Sequence, residues 1–317
     1  MYCIVAVIVL AVAYYVIDLV LRSLKIGKIT DKHVFITGCD SGFGHLCAVR
    51  LDKLGFHVFA GCLTQAGAKS LSDICSSRLT TVILDVGSTE SIEQAVQVVQ
   101  RKLPPDTGLW ALINNAGIMG LVSPSEFNTR QDVQDVINVN LLGTIDATLR
   151  FLPLLRKSKG RIVNTSSIAG RVAHLLTPYT ASKFGVEGFS DLMRLELRSQ
   201  GIKVSILEPG VFRTGFVNIN RVVENARKRY ETIAPEVQAV YGGSAVVDKI
   251  RNNMVAGYTI GSRDLDLVVD AHVHAISARF PRARYAIGTD AKWFFIPVSF
   301  LPPFLSDFLI KRMVKYA

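Results

Sequence analysis

Residues 32–62 read KHVFITGCDSGFGHLCAVRLDKLGFHVFAGC, and the order of residue types in this stretch decides the architecture. The apolar run VFIT is of strand type and feeds a turn, TGCDSGFG at residues 37–44, with glycines at Gly38, Gly42 and Gly44. Backbone without Cβ atoms can approach a pyrophosphate closely, and the N–H groups opening a helix after it, around Ser41 and Phe43, favour an anion. The spacing G-x-x-x-G-x-G differs from the G-x-G-x-x-G dinucleotide fingerprint. A helix is expected over 43–54, stopped by Gly55, and a second strand over 57–62. Strand, glycine turn, helix and strand together have the size of one mononucleotide-binding unit.

The alternation continues outward. A helix is expected over 67–75, a strand over 81–84 leading into Asp85 and Val86, and a helix over 90–102 ended by Pro104 and Pro105. A strand over 110–113 then delivers NNAG, with Asn114, Ala116 and Gly117. This pattern predicts an α/β fold, a doubly wound parallel sheet of Rossmann-like form in one domain, with helices on both faces. Ligands in such sheets sit beyond the carboxyl ends of the strands, where every one of these motifs falls. Asp85 is placed to accept from an adenine amino group, or equally to cap a turn. The second strand ends in GCLTQ, with neither the acid that grips a ribose 2′-hydroxyl nor an arginine for a 2′-phosphate. Asp40, inside the glycine turn, would repel a 2′-phosphate, so NAD is preferred to NADP.

The chemistry concentrates in 164–188, NTSSIAGRVAHLLTPYTASKFGVEG. Tyr179 and Lys183 are four apart, which on a helix sets both on one face. A free phenol has a pKa of about 10, and a fixed cation nearby is expected to lower it, giving a group able to move a proton to or from an alcohol. Ser167 follows the apolar run 161–165, twelve residues before Tyr179, and could hold the substrate oxygen; Ser166 competes for that role. A Tyr–Lys pair alone is a common surface feature, so its meaning depends on the motifs upstream.

TGCDSGFG, NNAG, Asn140 in VNLLG, Ser167, YTASK and Pro209-Gly210 occur in the order and spacing of the short-chain dehydrogenases/reductases, which residues 32–213 closely resemble. The wording TGCDSGFG, with CLT after the second strand and an apolar amino end, is similar to one branch. That branch holds membrane-bound retinol dehydrogenases and 3α/17β-hydroxysteroid dehydrogenases, and is related to the hydroxybutyrate dehydrogenases. The resemblance implies Tyr179 as acid/base, Ser167 holding the substrate oxygen, Lys183 on the nicotinamide ribose, and Asn140 in a proton relay through water. By residue type alone Asn140 reads as a helix-interior amide bonded to backbone. The resemblance also implies that Pro209 and Gly210 turn the chain beside the nicotinamide, that Thr214 bonds its carboxamide or the pyrophosphate, and that NAD(H) is preferred. A hydroxy-acid substrate and a non-catalytic nucleotide-binding membrane scaffold are the alternatives. The intact Asn140, Ser167, Tyr179 and Lys183 argue against the scaffold.

Of 317 residues 49% are hydrophobic, and the net charge is +10. The apolar excess and the cations gather at the chain ends, which favours an anionic membrane surface over nucleic acid. Residues 2–17 are unbroken apolar sequence interrupted only at Asp18, with Arg22, Lys25, Lys28 and Lys32 after it. About 20 such residues span a bilayer, and the basic flank places the rest of the chain in the cytosol. Residues 1–28 are thus expected to be an anchor in the endoplasmic reticulum membrane, and 29–290 the catalytic domain. Residues 211–245 are read as a substrate lid, in which Arg213, Arg221, Arg227, Lys228 and Arg229 are the cations a hydroxy acid would need. Residues 291–317, apolar and then basic at Lys311, Arg312 and Lys315, contain Pro297, Pro302 and Pro303 and are read as an interfacial tail beside the entrance for a lipophilic substrate. Five scattered cysteines suggest neither disulfides nor zinc, and His272 and His274, two apart, suggest no metal site. Oligomeric state stays open, a homo-oligomer included.

Overall fold

The computed structural model describes residues 2–173 and 176–313, without the side chains of 2–4, 7, 8, 11 and 313. Seven strands run parallel: β1 His33–Ile36, β2 His57–Cys62, β3 Leu79–Ile83, β4 Ala111–Asn114, β5 Arg161–Thr165, β6 Lys203–Pro209 and β7 Arg284–Ile287. Their order is β3-β2-β1-β4-β5-β6-β7. Direction along the sheet reverses between β1 and β4, where Val34 pairs with Val58 on one side and Ala111 on the other.

The helices are α1 Tyr2–Ser23, α2 Gly42–Leu54, α3 Gln65–Ile74, α4 Thr89–Lys102, α5 Arg130–Ile137, α6 Gly143–Ser158, α7 Thr177–Glu196, α8 Ile219–Tyr230, α9 Pro235–Val240, α10 Ala245–Ile260, α11 Asp266–Ser277, α12 Ile296–Val298 and α13 Pro303–Met313. Their ends follow local chemistry. Thr64 and Ser88 cap α3 and α4 by accepting from Gly67 N and Ser91 N. Gly55 ends α2 at φ +97°, a conformation glycine adopts without a Cβ penalty.

Successive residues of β1 point to opposite faces, and both faces are buried, hence its apolar run. Val34 and Ile36 join Leu51 of α2, Leu71 of α3 and Val268 of α11; Phe35 joins Val99 of α4, Phe151 of α6 and Met193 of α7. Two smaller clusters lie outside the sheet. One seats Phe295, Val298 and Ile310 of the tail on Ile168 and Val172; the other packs Val223 of α8 and Val246 of α10 on Phe127.

The amino end is tied to the domain: Asp18 accepts from Arg282 (2.6 Å) and Arg22 (2.9 Å), and Arg22 donates to the Phe280 carbonyl (2.8 Å). The described apolar side chains of α1 from Val5 to Leu21, such as Leu10 and Tyr14, are exposed. Among the described residues no helix is long and apolar enough to cross a membrane. Lys315, counted with the basic tail, lies outside the described residues.

Candidate active site

The glycine turn is seated on the end of β4. Thr37 Oγ1 accepts from the N–H groups of Asn115 and Ala116 (3.0 Å each), and Asn115 Nδ2 donates to the carbonyls of Thr37 and Gly38 (3.1 Å each). Gly38 has φ +70°, and a Cβ there would lie 2.7 Å from Ala116 Cα; one at Gly44 would lie 2.2 Å from the Gly38 carbonyl oxygen. Two backbone walls therefore meet at the switch point of the sheet. Ser41 stands at the N-cap of α2 with no side-chain bond to the helix, leaving first-turn N–H groups for an anion.

Asp40 is fixed by Leu63 N (2.7 Å), Thr64 N (2.9 Å) and the Thr64 hydroxyl (2.7 Å). This carboxylate from the glycine turn thus reaches the end of β2, where the sequence offers no acid. Asp85 accepts from Gly87 N (2.8 Å) as a turn residue and still faces the cavity.

At the end of β5, Ser167 opens a short 3₁₀ turn, Ile168–Gly170, with its hydroxyl accepting from Ala169 N (3.1 Å). Its hydroxyl is the polar neighbour that pulls the pKa of the Tyr179 phenol down. Ser166 is buried and directed to the Lys183 carbonyl (3.5 Å), so Ser167 is the serine that meets the phenol. Lys183, one turn along α7, donates from Nζ to the Thr165 carbonyl (2.9 Å) and lies 5.6 Å from the centre of the Tyr179 ring. Thr165 is held in turn through its hydroxyl by His272 Nε2 (3.1 Å), whose Nδ1 reaches the Val268 carbonyl (2.9 Å). The carbonyl requires an Nδ1–H, so Nε2 accepts from Thr165. Burial pushes His272 down to about 4, which keeps it neutral. His274 bonds the Tyr285 hydroxyl (2.7 Å) and the Arg22 carbonyl (3.0 Å).

Electrostatics here depart from the sequence expectation. Lys183 was expected to lower the phenol, yet burial pushes Tyr179 up to about 12, with the Ser167 bond pulling back. Burial also brings Lys183 down to about 8, opposed by Glu187. Desolvation disfavours both charged forms and outweighs the opposing pulls of Ser167 and Glu187. The phenol holds its proton at neutral pH and is set to donate one.

Asn140 lies in a π-helical segment, Asn138–Leu142, between α5 and α6, an irregularity frequent at functional sites. Its Oδ1 accepts from Ile118 N (2.8 Å), and its Nδ2 donates to the Ile118 carbonyl (2.9 Å) and Ser182 Oγ (3.0 Å). This is the backbone-bonded amide its residue type suggests. Asn114 is likewise inside the fold, donating to Thr148 Oγ1 (2.9 Å) and Asn164 Oδ1 (2.8 Å).

These elements surround one cavity of about 790 Å³. Gly38, Ser41, Gly42, Phe43, Asp85, Val86, Ala116, Gly117, Ser167, Tyr179, Lys183, Pro209, Gly210 and Thr214 all line it; Gly44, Asn114 and Asn140 stand behind its wall. Sequence reading missed Asp290, whose Oδ2 accepts from Val211 N (2.7 Å) and whose carboxylate fills the space a Cβ on Gly210 would need. It also missed Phe216, Met254, Tyr258, Ile260 and Phe294, which wall the far end. Apolar residues at helical spacing in α10 carry no signal that sets them apart from core.

The backbone cradle, which a Cβ would obstruct at Gly38, fits the diphosphate of a dinucleotide, and Lys183 beside Tyr179 and Pro209-Gly210 fits its nicotinamide end. The family model described as short chain dehydrogenase matches residues 32–225. The chain belongs to that family, and it is an oxidoreductase working with a nicotinamide cofactor. It is 47% identical over 285 residues to retinol dehydrogenase 7 of Rattus norvegicus, covering 90% of this chain and 89% of that one. To 17-beta-hydroxysteroid dehydrogenase type 6 of Homo sapiens it is 44% identical over 299 residues, covering 94% of each. A short-chain dehydrogenase/reductase from Burkholderia phymatum, solved in complex with NAD, superposes with a TM-score of 0.69 at 22% identity, covering 86% of this chain and 94% of that one.

Proposed function

We propose that this protein is an NAD-dependent dehydrogenase interconverting a lipophilic alcohol, a retinol or a hydroxysteroid, with its carbonyl. The observation that carries the reading is the wall beyond Tyr179. It is built of Phe216, Met254, Tyr258, Ile260 and Phe294, and Lys183 is the one cation among the described residues lining the cavity. A hydroxy acid would require another. Of the candidate arginines, Arg213 donates to the Gly261 carbonyl (3.0 Å) and Arg229 pairs with Asp132 (2.8 Å), so both are committed elsewhere.

Ser167 would hold the substrate oxygen against Tyr179, which as phenol gives its proton to that oxygen in reduction and as phenolate takes the hydroxyl proton in oxidation. Lys183 would stabilise the phenolate as it forms and hold the cofactor's ribose hydroxyls; Thr165 and His272 keep it in place. A bound nicotinamide supplies the hydride acceptor or donor. Asn140 stands behind Lys183 and Ser182, and its carriage of protons through a water remains part of this proposal. Asp40 supports NAD over NADP, because its carboxylate is held where a 2′-phosphate would approach. Residues 1–28 would anchor the domain, 29–290, on the cytosolic face of the endoplasmic reticulum membrane. Exposed Trp293, Phe300, Phe304 and Phe308 of the tail support an interfacial seat near the cavity.

Membranes carrying the protein, assayed with retinol, a 3α-hydroxysteroid and hydroxybutyrate, each with NAD and NADP, test the reading. Turnover of a lipophilic alcohol with NAD is expected, and Tyr179→Phe should lower it about 10²–10⁴-fold while nucleotide binding persists. Undiminished turnover in that variant would remove the phenol from the mechanism. Deleting residues 1–28 should release the protein to the carbonate-soluble fraction; complete retention would refute the anchor.

A further inference from the structure

Beneath Lys183 lies a buried ionic cluster to which the reaction described above gives no part. Glu187 and Glu208 are 5% and 1% exposed. Arg284 Nη1 donates to both, and its Nη2 to Asp191; Arg171 Nη1 donates to Glu208 (2.9 Å). Gly170 allows this packing: a Cβ there would meet Ser166 Oγ at 2.7 Å, Glu187 Cγ at 2.9 Å and the Lys183 carbonyl oxygen at 2.9 Å. Glu208 thus draws on two guanidiniums, whereas Glu187 has one oxygen on Arg284 and the other, Oε1, with no hydrogen-bond partner. Glu187 follows Lys183 by one helical turn on the same face of α7.

We propose that Glu187 is a positioning residue of the active site, the buried countercharge that keeps Lys183 protonated and seated on the Thr165 carbonyl. The assignment rests on the reading of Lys183 as part of the site. The other groups facing this pair are accounted for: Tyr179, Ser166, Ser182 and Asn140 are uncharged, and His272 is neutral. Arg171 pairs with Glu208, and Arg284 is shared among Glu208, Asp191 and one oxygen of Glu187. Burial pulls the Lys183 proton off toward about 8, and Glu187 is the group that opposes it. Burial and Glu208 push Glu187 itself up to about 7, so its charge is fully present only above neutrality, where Lys183 would otherwise be lost.

The test does not need turnover. In protein free of added nucleotide, the pH dependence of reductive methylation at Lys183, read by mass spectrometry, gives the pH at which the amine loses its proton. In Glu187→Gln and Glu187→Met, both neutral and of similar volume, that midpoint should fall by about one pH unit. Glu187→Asp, which restores a carboxylate, should bring it back toward the parent. The limb of the pH–rate profile belonging to Lys183 should move the same way. A merely structural Glu187 would lower thermal stability in the neutral variants and leave the midpoint where it was. A midpoint coincident with the parent in whichever neutral variant folds overturns the proposal. Absence of turnover in the parent would instead count against the dehydrogenase reading, leaving the labelling result to stand alone.

Discussion

At the glycine turn, Cβ atoms on Gly38 and Gly44 would come within 2.7 and 2.2 Å of neighbouring backbone; at the apolar end of the cavity, Cβ atoms on Gly215 and Gly257 would meet nothing within 4 Å. Backbone forms the cofactor end, so its shape is fixed by strand pairing and leaves no room to vary. Side chains form the other end: Phe216 before α8, and Met254 and Ile260 of α10, over an opening whose rim is exposed. One cavity thus joins a rigid nucleotide seat to a substrate wall that can change without disturbing the sheet. The catalytic hydroxyls lie between them, braced from below by Thr165, His272 and the Glu187 cluster.

Matched glycine substitutions should break this symmetry most strongly. Gly44→Ala drives a methyl into the Gly38 carbonyl and should cost about 3 kcal/mol or more of stability, with a comparable loss of NAD affinity, measured by denaturation and nucleotide titration. Equal tolerance at the two ends would dissolve the contrast.

The brace at His272 gives an effect of similar or smaller size that depends on pH. Its folded pKa of about 4 is depressed below the ordinary 6.5. The unfolded chain therefore binds the proton more readily between those values, and stability rises with pH across that window. Its contribution is complete above about 6.5 and is lost as pH falls toward 4, amounting to about 3 kcal/mol. Denaturation of the parent and of His272→Gln at pH 7.5 and 5 should show the slope in the parent and a reduced slope in the variant.

The smallest effect should come from Gly257→Ala within α10, expected to gain about 0.5–1 kcal/mol from helix propensity and to leave NAD binding unchanged. A loss there would show that the apolar end is as closely built as the nucleotide end.

The legible parts are those where chemistry is local. Strands β2 and β5 fall on the residues their apolar runs marked, 57–62 and 161–165. The edge strand β3 begins two residues earlier than its apolar content suggested, because one-sided pairing with β2 accepts Leu79 and Thr80 without requiring a buried face. Ser166 and Ser167 are adjacent and alike in sequence; only the turn at Ser167 decides which hydroxyl meets Tyr179. Asp290 lies 80 residues from Gly210, and no local pattern connects the two. The tail read as interfacial, yet Phe295, Val298 and Ile310 also pack on Ile168, since an amphipathic segment can satisfy a core and a surface at once.

By itself the sequence determined the strand–turn–helix alternation, the glycines whose missing side chains admit a diphosphate, and the residue types able to move a proton, because each depends on neighbours a few positions away. Tertiary structure decided the sign of the phenol's shift, the serine that serves it, the Asp290 carboxylate set against Gly210 and the apolar wall of the cavity. These depend on burial and on distances between segments far apart in the chain, quantities that exist only once the sheet has closed over them.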